Sequence, residues 1–207
     1  MSPAFQLITG RSLVQERPFT HPAHTEADHL TLRYLAARLR ATRDQADSYA
    51  HWPTPVVLYC PEPNQRQHRQ VLVRPFDLFG DRQLPVVGFF GQTQAGADRR
   101  LLNEVDGQLL TELPSREGLV AYCTLDLGDG NCGNLVIFAD AEAKGRWRES
   151  ARHSYAAREL APAYYASVRI YNGILPRGLS EVDALQFSLV KYYDYGSHPP
   201  WRGLRRF

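Results

Sequence analysis

Two apolar runs, "LVAYCTLDL" (119–127) and "CGNLVIFAD" (132–140), flank the tetrapeptide "GDGN". In the first, Leu119, Ala121, Cys123, Leu125 and Leu127 point one way, and Tyr122, Thr124 and Asp126 the other. Side chains of a strand alternate between the two faces of a sheet, and an Asp-Gly pair between two such runs is a strong hairpin signal. Whatever this chain folds into has to bury that hairpin. Upstream, "VVGFFG" (86–91) reads as a strand, and Ala97, Leu101, Leu102, Val105, Leu109 and Leu113 then recur at helical spacing until Pro114 and Gly118. Downstream, a helix is expected from about Ala141 to Pro162. "SVRIYNGIL" (167–175) follows as one more strand, closed by Pro176.

The order over residues 84–178 is therefore β-α-β-β-α-β. That is an α+β, ferredoxin-like plan, with an antiparallel sheet and both helices on one face. Neither face of its strands reads as polar. In 132–139, Cys132, Val136 and Phe138 alternate with Leu135, Ile137 and Ala139, and in 167–175, Val168, Ile170 and Ile174 oppose Tyr171 and Leu175. Two exposed apolar faces aggregate, so a second subunit or the rest of the chain has to cover the face without helices.

The rest of the chain is an α/β extension over 1–80 and a segment over 179–207. In "TEADHLTLRYLAARLRATRDQADSYA", Leu32, Leu35, Leu39, Ala46 and Tyr49 form one stripe, with Thr25 and Asp28 spaced as a capping box. "PVVLYC" (55–60) and "QVLVRPFDLF" (70–79) read as strands, so 1–80 resembles an incomplete βαββ unit. "LQFSLVKYYDY" (185–195) is expected as an edge strand, and "PPWRGLRRF" as a solvated or partner-docking basic tail.

Composition narrows the function classes. The 207 residues suit one domain, or a small domain with an extension. No apolar run approaches the roughly 18 residues of a membrane span, and "MSPAFQLITG" lacks a signal peptide's regions, so a cytoplasmic, non-membrane protein is expected. A net charge of +2 leaves no global footprint for nucleic acid. Of 24 basic residues only Lys144 and Lys191 are lysine. Cys60, Cys123 and Cys132 form no C-x-x-C pair, which argues against a disulfide framework, a structural zinc site or a thiol nucleophile. "HPAHTEADH" gathers His21, His24, Asp28 and His29, but not at metal-ligand spacing, so no metal is expected. No Walker loop and no G-x-S-x-G elbow is present.

The stretch with most chemistry is "GRWRESARHSYAA" (145–157). At about 100° per residue, Trp147 sits in the sheet-facing stripe among Ala143, Ser150, Ser154 and Ala161, while His153 lies about 120° away on the flank. A stripe of small residues around one Trp either packs closely or leaves a cavity.

A unit of this order, with a Trp, then Ser and His on its second helix and a last strand after "ELAPAYYASVRIYNG", resembles the dimeric α/β-barrel superfamily, antibiotic-biosynthesis-monooxygenase type, over about residues 84–178. The resemblance implies two sheets packed face to face in a homodimer and a pocket between each sheet and its helices. It implies a cofactor-independent, monooxygenase-like enzyme or a binder of a small hydrophobic or aromatic molecule. Trp147 would line that pocket, with Tyr122, Asn134, Asn172 and Tyr171 available on the strands to hold a ligand and His153 as a catalytic base. The alternative is a non-catalytic dimeric binding or assembly protein. A third reading is a haem-binding or haem-degrading protein, since haem-degrading members carry a Trp and a His on this helix. Their haem-ligand His lies about three turns along it, where this chain has Ala157, and His153 departs from that spacing.

Overall fold

The computed structural model describes residues 4–43, 45, 54–78, 80–98, 100, 107, 110–128 and 130–207. The expectations placed on Ala46 and Tyr49, and on Leu101, Leu102, Val105 and Leu109, fall outside those residues.

Among the described residues nine strands join in one sheet: β1 (Gln6–Ile8), β2 (Val56–Cys60), β3 (His68–Leu72), β4 (Leu84–Thr93), β5 (Leu119–Gly128), β6 (Asn131–Phe138), β7 (Tyr165–Leu175), β8 (Gln186–Asp194) and β9 (Trp201–Arg206). Their order is β1-β9-β8-β7-β4-β6-β5-β3-β2. The sheet is mixed, because β1 runs parallel to β9 while every other pair is antiparallel.

This corrects the expected fold class. The chain is α+β, but residues 84–178 are not a simple ferredoxin-like βαββαβ unit carrying an extension. β3 pairs along β5 from His68 to Leu72, and β8 pairs along β7 over Gln186–Asp194. The strands that would be the open edges of a four-stranded unit are thus interior. Unpaired edge N–H and C=O groups invite further pairing, and here flanking segments of the same chain supply it. The basic tail is corrected too. Its residues 201–206 form β9, and Arg205 is buried, donating to the Tyr192 hydroxyl and to the Ser12 and Thr20 carbonyls at 2.7–3.0 Å.

Helix α1 (Pro22–Arg43) covers one face of the sheet. Leu32, Leu35, Ala36 and Leu39 are fully buried in one core with Val86 and Phe90 of β4, Cys123 of β5, Leu135 of β6 and Tyr171 of β7. Contact is close enough that a Cβ on Gly88 would meet Leu32 Cδ1 at 2.5 Å. The face on which the resemblance would seat a second subunit's sheet is therefore occupied by the chain's own helix.

Thr25 and Asp28 do not cap α1, which starts at Pro22, where the Ala23 amide donates to His21 Nδ1 at 3.1 Å. Asp28 lies further along the helix and reaches the sheet. Its carboxylate accepts from Arg169 Nε at 2.5 Å and Nη2 at 2.9 Å, and from the Tyr171 hydroxyl at 2.7 Å. Arg169 and Tyr171 are alternate residues of β7, so both face α1. This buried, bidentate pair pins the helix to the sheet.

The opposite face carries the segment 141–164, which is a correction in its own right. One continuous helix was expected, but α2 (Ala141–Glu149) ends at Ser150, whose backbone is extended at φ −61° and ψ 140°. A short α3 (Ala151–Tyr155), a π-helical stretch (Ala156–Leu160) and α4 (Ala161–Tyr164) follow. Pro162 has no N–H to continue an α-helical ladder, and the Ala161 amide instead reaches back to the Ala156 carbonyl. At its start, Asp140 caps α2 by accepting from the Ala143 amide at 2.7 Å. Ala143 then seats on Gly118, where φ is +78° and a Cβ would lie 2.4 Å from that of Ala143.

Candidate functional site

Strands β4 to β8 bury the residues that face α1, and on the opposite face Val136, Phe138 and Val168 are buried while others stay partly open. Val87 and Phe89 of β4, Tyr122 of β5, Asn134 of β6, Ile170 and Asn172 of β7 and Lys191 of β8 are all half-buried. They form contiguous rows across the sheet. Ile170 is registered between Lys191 and Phe89, and Phe89 opposes Asn134. Asn172 opposes Val87, Val87 opposes Val136, and Val136 opposes Tyr122. Interior strands have no rim through which side chains reach water, so we read the half-open strip in mid-sheet as the floor of a cleft, with the broken helix as its wall.

The break brings the wall together. Trp147 is the last inward residue before Ser150, and His153 follows it by one turn. The Ser150 hydroxyl accepts from the His153 amide at 3.3 Å, so Ser150 acts as an N-cap for the second piece. On an unbroken helix the two rings would diverge by about 120°. Here their centroids are 5.9 Å apart at an interplanar angle of 61°, and Trp147 also packs edge-on against Phe138 at 6.3 Å.

The pKa of His153 lies below the ordinary histidine value. Burial lowers its pKa, and the charge of Arg148 adds to that, against a hydrogen bond between the ring and the Arg148 backbone carbonyl that opposes it. A ring N–H engaged by a carbonyl leaves the other nitrogen with its lone pair, ready to accept a proton. Across the floor, Asn134 Nδ2 donates to the Tyr122 hydroxyl at 3.2 Å, while Asn134 Oδ1 is buried without a partner. Tyr165 closes the far end, its hydroxyl 3.5 Å from Cys132 Sγ and its ring edge-on to Phe89 at 5.4 Å.

Of the residues singled out from sequence, Trp147, His153, Tyr122, Asn134 and Asn172 share this face. Tyr171 does not. It is fully buried on the α1 face, where burial and the Asp28 carboxylate push its pKa up, and it belongs to the ion-pair lock rather than to the cleft. Parity along β7 was enough to separate it from Asn172, since neighbouring strand residues point to opposite faces.

Sequence reasoning passed over the cations at the cleft. Lys144 and Arg148 lie one turn apart on α2, and Lys191 rises from β8. The signal was present in composition, because these are the chain's only two lysines. Among the described residues there is no group of three His, Cys, Asp or Glu side chains suited to a metal ion, and no helix long and apolar enough to cross a membrane.

No protein-family model matches the chain, and no curated protein matches it either. The solved structures to which part of the chain is similar include two. One is the crystal structure of a protein of unknown function from Nitrosomonas europaea, 16% identical, covering 46% of this chain and 92% of its own with a TM-score of 0.41. The other, a protein from Shewanella oneidensis, is 15% identical, with a TM-score of 0.38 and coverage of 46% and 94%.

Proposed function

We propose that this chain binds a small, largely apolar aromatic molecule in the cleft between its sheet and the broken helix 141–164. The observation that supports this reading is the contrast within single strands. β4 and β7 bury their α1-facing apolar residues and leave Val87, Phe89, Ile170 and Asn172 of the other face half-open, with Val168 the buried exception. Ligand sites are concave and mostly apolar, with a few polar groups that orient the occupant. Val87, Phe89, Ile170 and Trp147 supply the apolar part, and Asn134, Asn172, Tyr122 and His153 the polar part. On this reading His153 is the base that takes an acidic proton from the bound molecule, the role a monooxygenase-like activity requires.

The test is a fluorescence titration with N-phenyl-1-naphthylamine, a neutral apolar aromatic probe. Saturable one-to-one binding is expected, at least tenfold weaker in Asn172→Phe, which fills the floor, with an unchanged unfolding midpoint in that variant. Absence of saturable binding by the wild-type protein overturns the reading. So does undiminished binding in the folded Asn172→Phe variant.

A further inference from the structure

The edges that flank β5 and β7 are filled by strands of the same chain, and the filling stops at β2. β2 lies at one end of the nine-stranded order, with β3 on its inner side. Among the described residues no backbone group bonds its outer side. Alternate residues of a strand turn their N–H and C=O groups to opposite sides, so part of the β2 backbone faces outward without a partner.

Chains commonly protect such an edge with a charge, a proline within the strand, a bulge or a very short strand. β2 carries none of these. From Thr54 to Pro61 the sequence is "TPVVLYCP", with no charged residue and with both prolines just outside the strand. Its register runs unbroken from Val56 opposite Leu72 to Cys60 opposite His68. The other end of the sheet differs, because β1 is only three residues long. On β2, Tyr59 is 75% exposed and Val57 37%, both on the face opposite Val56, which is buried in the α1 core.

We propose that the outer edge of β2 pairs antiparallel with β2 of a second copy of this chain, joining two nine-stranded sheets into one across a two-fold axis at Leu58. An isologous joint sets the same strand against itself. Centred on Leu58, it places Val57 opposite the partner's Tyr59, Val56 opposite the partner's Cys60 and Pro55 opposite the partner's Pro61. The prolines, which have no N–H to give, then fall outside the ladder in both copies. A shift of register in either direction shortens that ladder. A charge near the axis would meet its own copy, and the neutral stretch 54–61 avoids that repulsion. The exposed Tyr59 ring gains Val57 as a cross-strand neighbour, an aromatic and β-branched pair of the favourable kind. An unrelated strand meets none of these symmetric conditions.

Sedimentation equilibrium of the full chain tests this. The weight-average mass is expected to rise from the 23.5 kDa of one chain towards twice that value as concentration climbs through the micromolar range. Val57→Lys/Tyr59→Lys sets like charges opposite one another across the joint and is expected to weaken dimerisation at least tenfold. Val57→Lys/Tyr59→Glu sets opposite charges across the same joint and is expected to dimerise at least tenfold more tightly than the double lysine variant. Both side chains project from the exposed edge, so each variant is expected to keep the wild-type far-ultraviolet circular dichroism. A single-chain mass throughout the range overturns the proposal and leaves the edge to a strand of a different protein. Undiminished dimerisation in the folded double lysine variant overturns it too, because the joint then lies elsewhere. Equal association of the two charged variants overturns the two-fold register about Leu58.

Discussion

The two faces of this sheet are made from the same strands and are closed in different ways. Under α1, leucines and aromatic rings are buried in one core and a buried carboxylate–guanidinium pair fastens helix to sheet. Under 141–164 the covering helix is interrupted at Ser150 and carries small residues, and beside the buried Val136 and Phe138 several strand residues stay half-open. An unbroken helix with a leucine stripe seals a face, because its knobs fall at regular intervals over the sheet. A helix with a kink, a π-turn and alanines leaves room. The first face holds the fold together, and the second is the one that carries the proposed ligand site.

That contrast is open to attack in order of expected effect. Asp28→Ala strands Arg169 as a buried charge with no partner and is expected to cost about 3–5 kcal/mol, read from urea denaturation. A loss below about 1 kcal/mol would mean that α1 is held by packing alone. Leu35→Ala, under the same helix, is expected to cost about 2–5 kcal/mol, because a fully buried side chain leaves a cavity. Ile170→Ala on the open face is expected to cost less than Leu35→Ala in the same assay, and equal costs would erase the distinction between the faces.

Acid reaches the sealed face next. His29 stacks on Phe187 with centroids 4.3 Å apart, and burial, then the charge of Arg33, lowers its pKa from 6.5 to about 4. The unfolded chain therefore takes up a proton that the folded chain resists. The stabilisation is complete above pH 6.5 and is lost as pH falls from 6.5 towards about 4. Thermal melts across that window are expected to show a falling midpoint, with a shallower fall in His29→Phe. His24 and His153, both lowered in the same direction, keep a residual slope. An identical profile in wild type and variant would remove His29 as a source.

The smallest change is expected at the cleft mouth. Lys144→Gln and Lys191→Gln are expected to shift stability by no more than about 0.5 kcal/mol each, in the stabilising direction, since each relieves repulsion between like charges. A clear loss of stability in the denaturation curves would mean that these lysines serve the fold.

Period-two patterning exposed the central strands at once, because alternation in 119–127, 132–140 and 167–175 survives whatever surrounds it. It also exposed the stripe of α1, whose Leu32, Leu35 and Leu39 all lie in the core. The break at Ser150 was not legible. A serine within a helical pattern reads equally well as an interior residue or as a cap, and only the fit of both helical pieces on the sheet selects between them. The separation of Tyr171 from the cleft was legible in principle and was missed, because two neighbouring strand residues were assigned to one pocket. The Asp28–Arg169 pair spans 141 residues, and no local pattern predicts a partner at that distance.

What the chain's order of residues determined by itself is the central strands, the hairpin between two of them and the presence of two apolar faces that need cover. Local periodicity reports which way a side chain points, and that survives any topology. What only the tertiary structure decided is who covers which face. It lengthened the sheet to nine strands, turned an arginine-rich tail into β9 and, of the two covers the sequence left open, laid the chain's own α1 rather than a second subunit over one face. Those outcomes depend on pairings between segments far apart in the chain, where the energy comes from edges satisfied and surfaces buried together rather than from any segment alone.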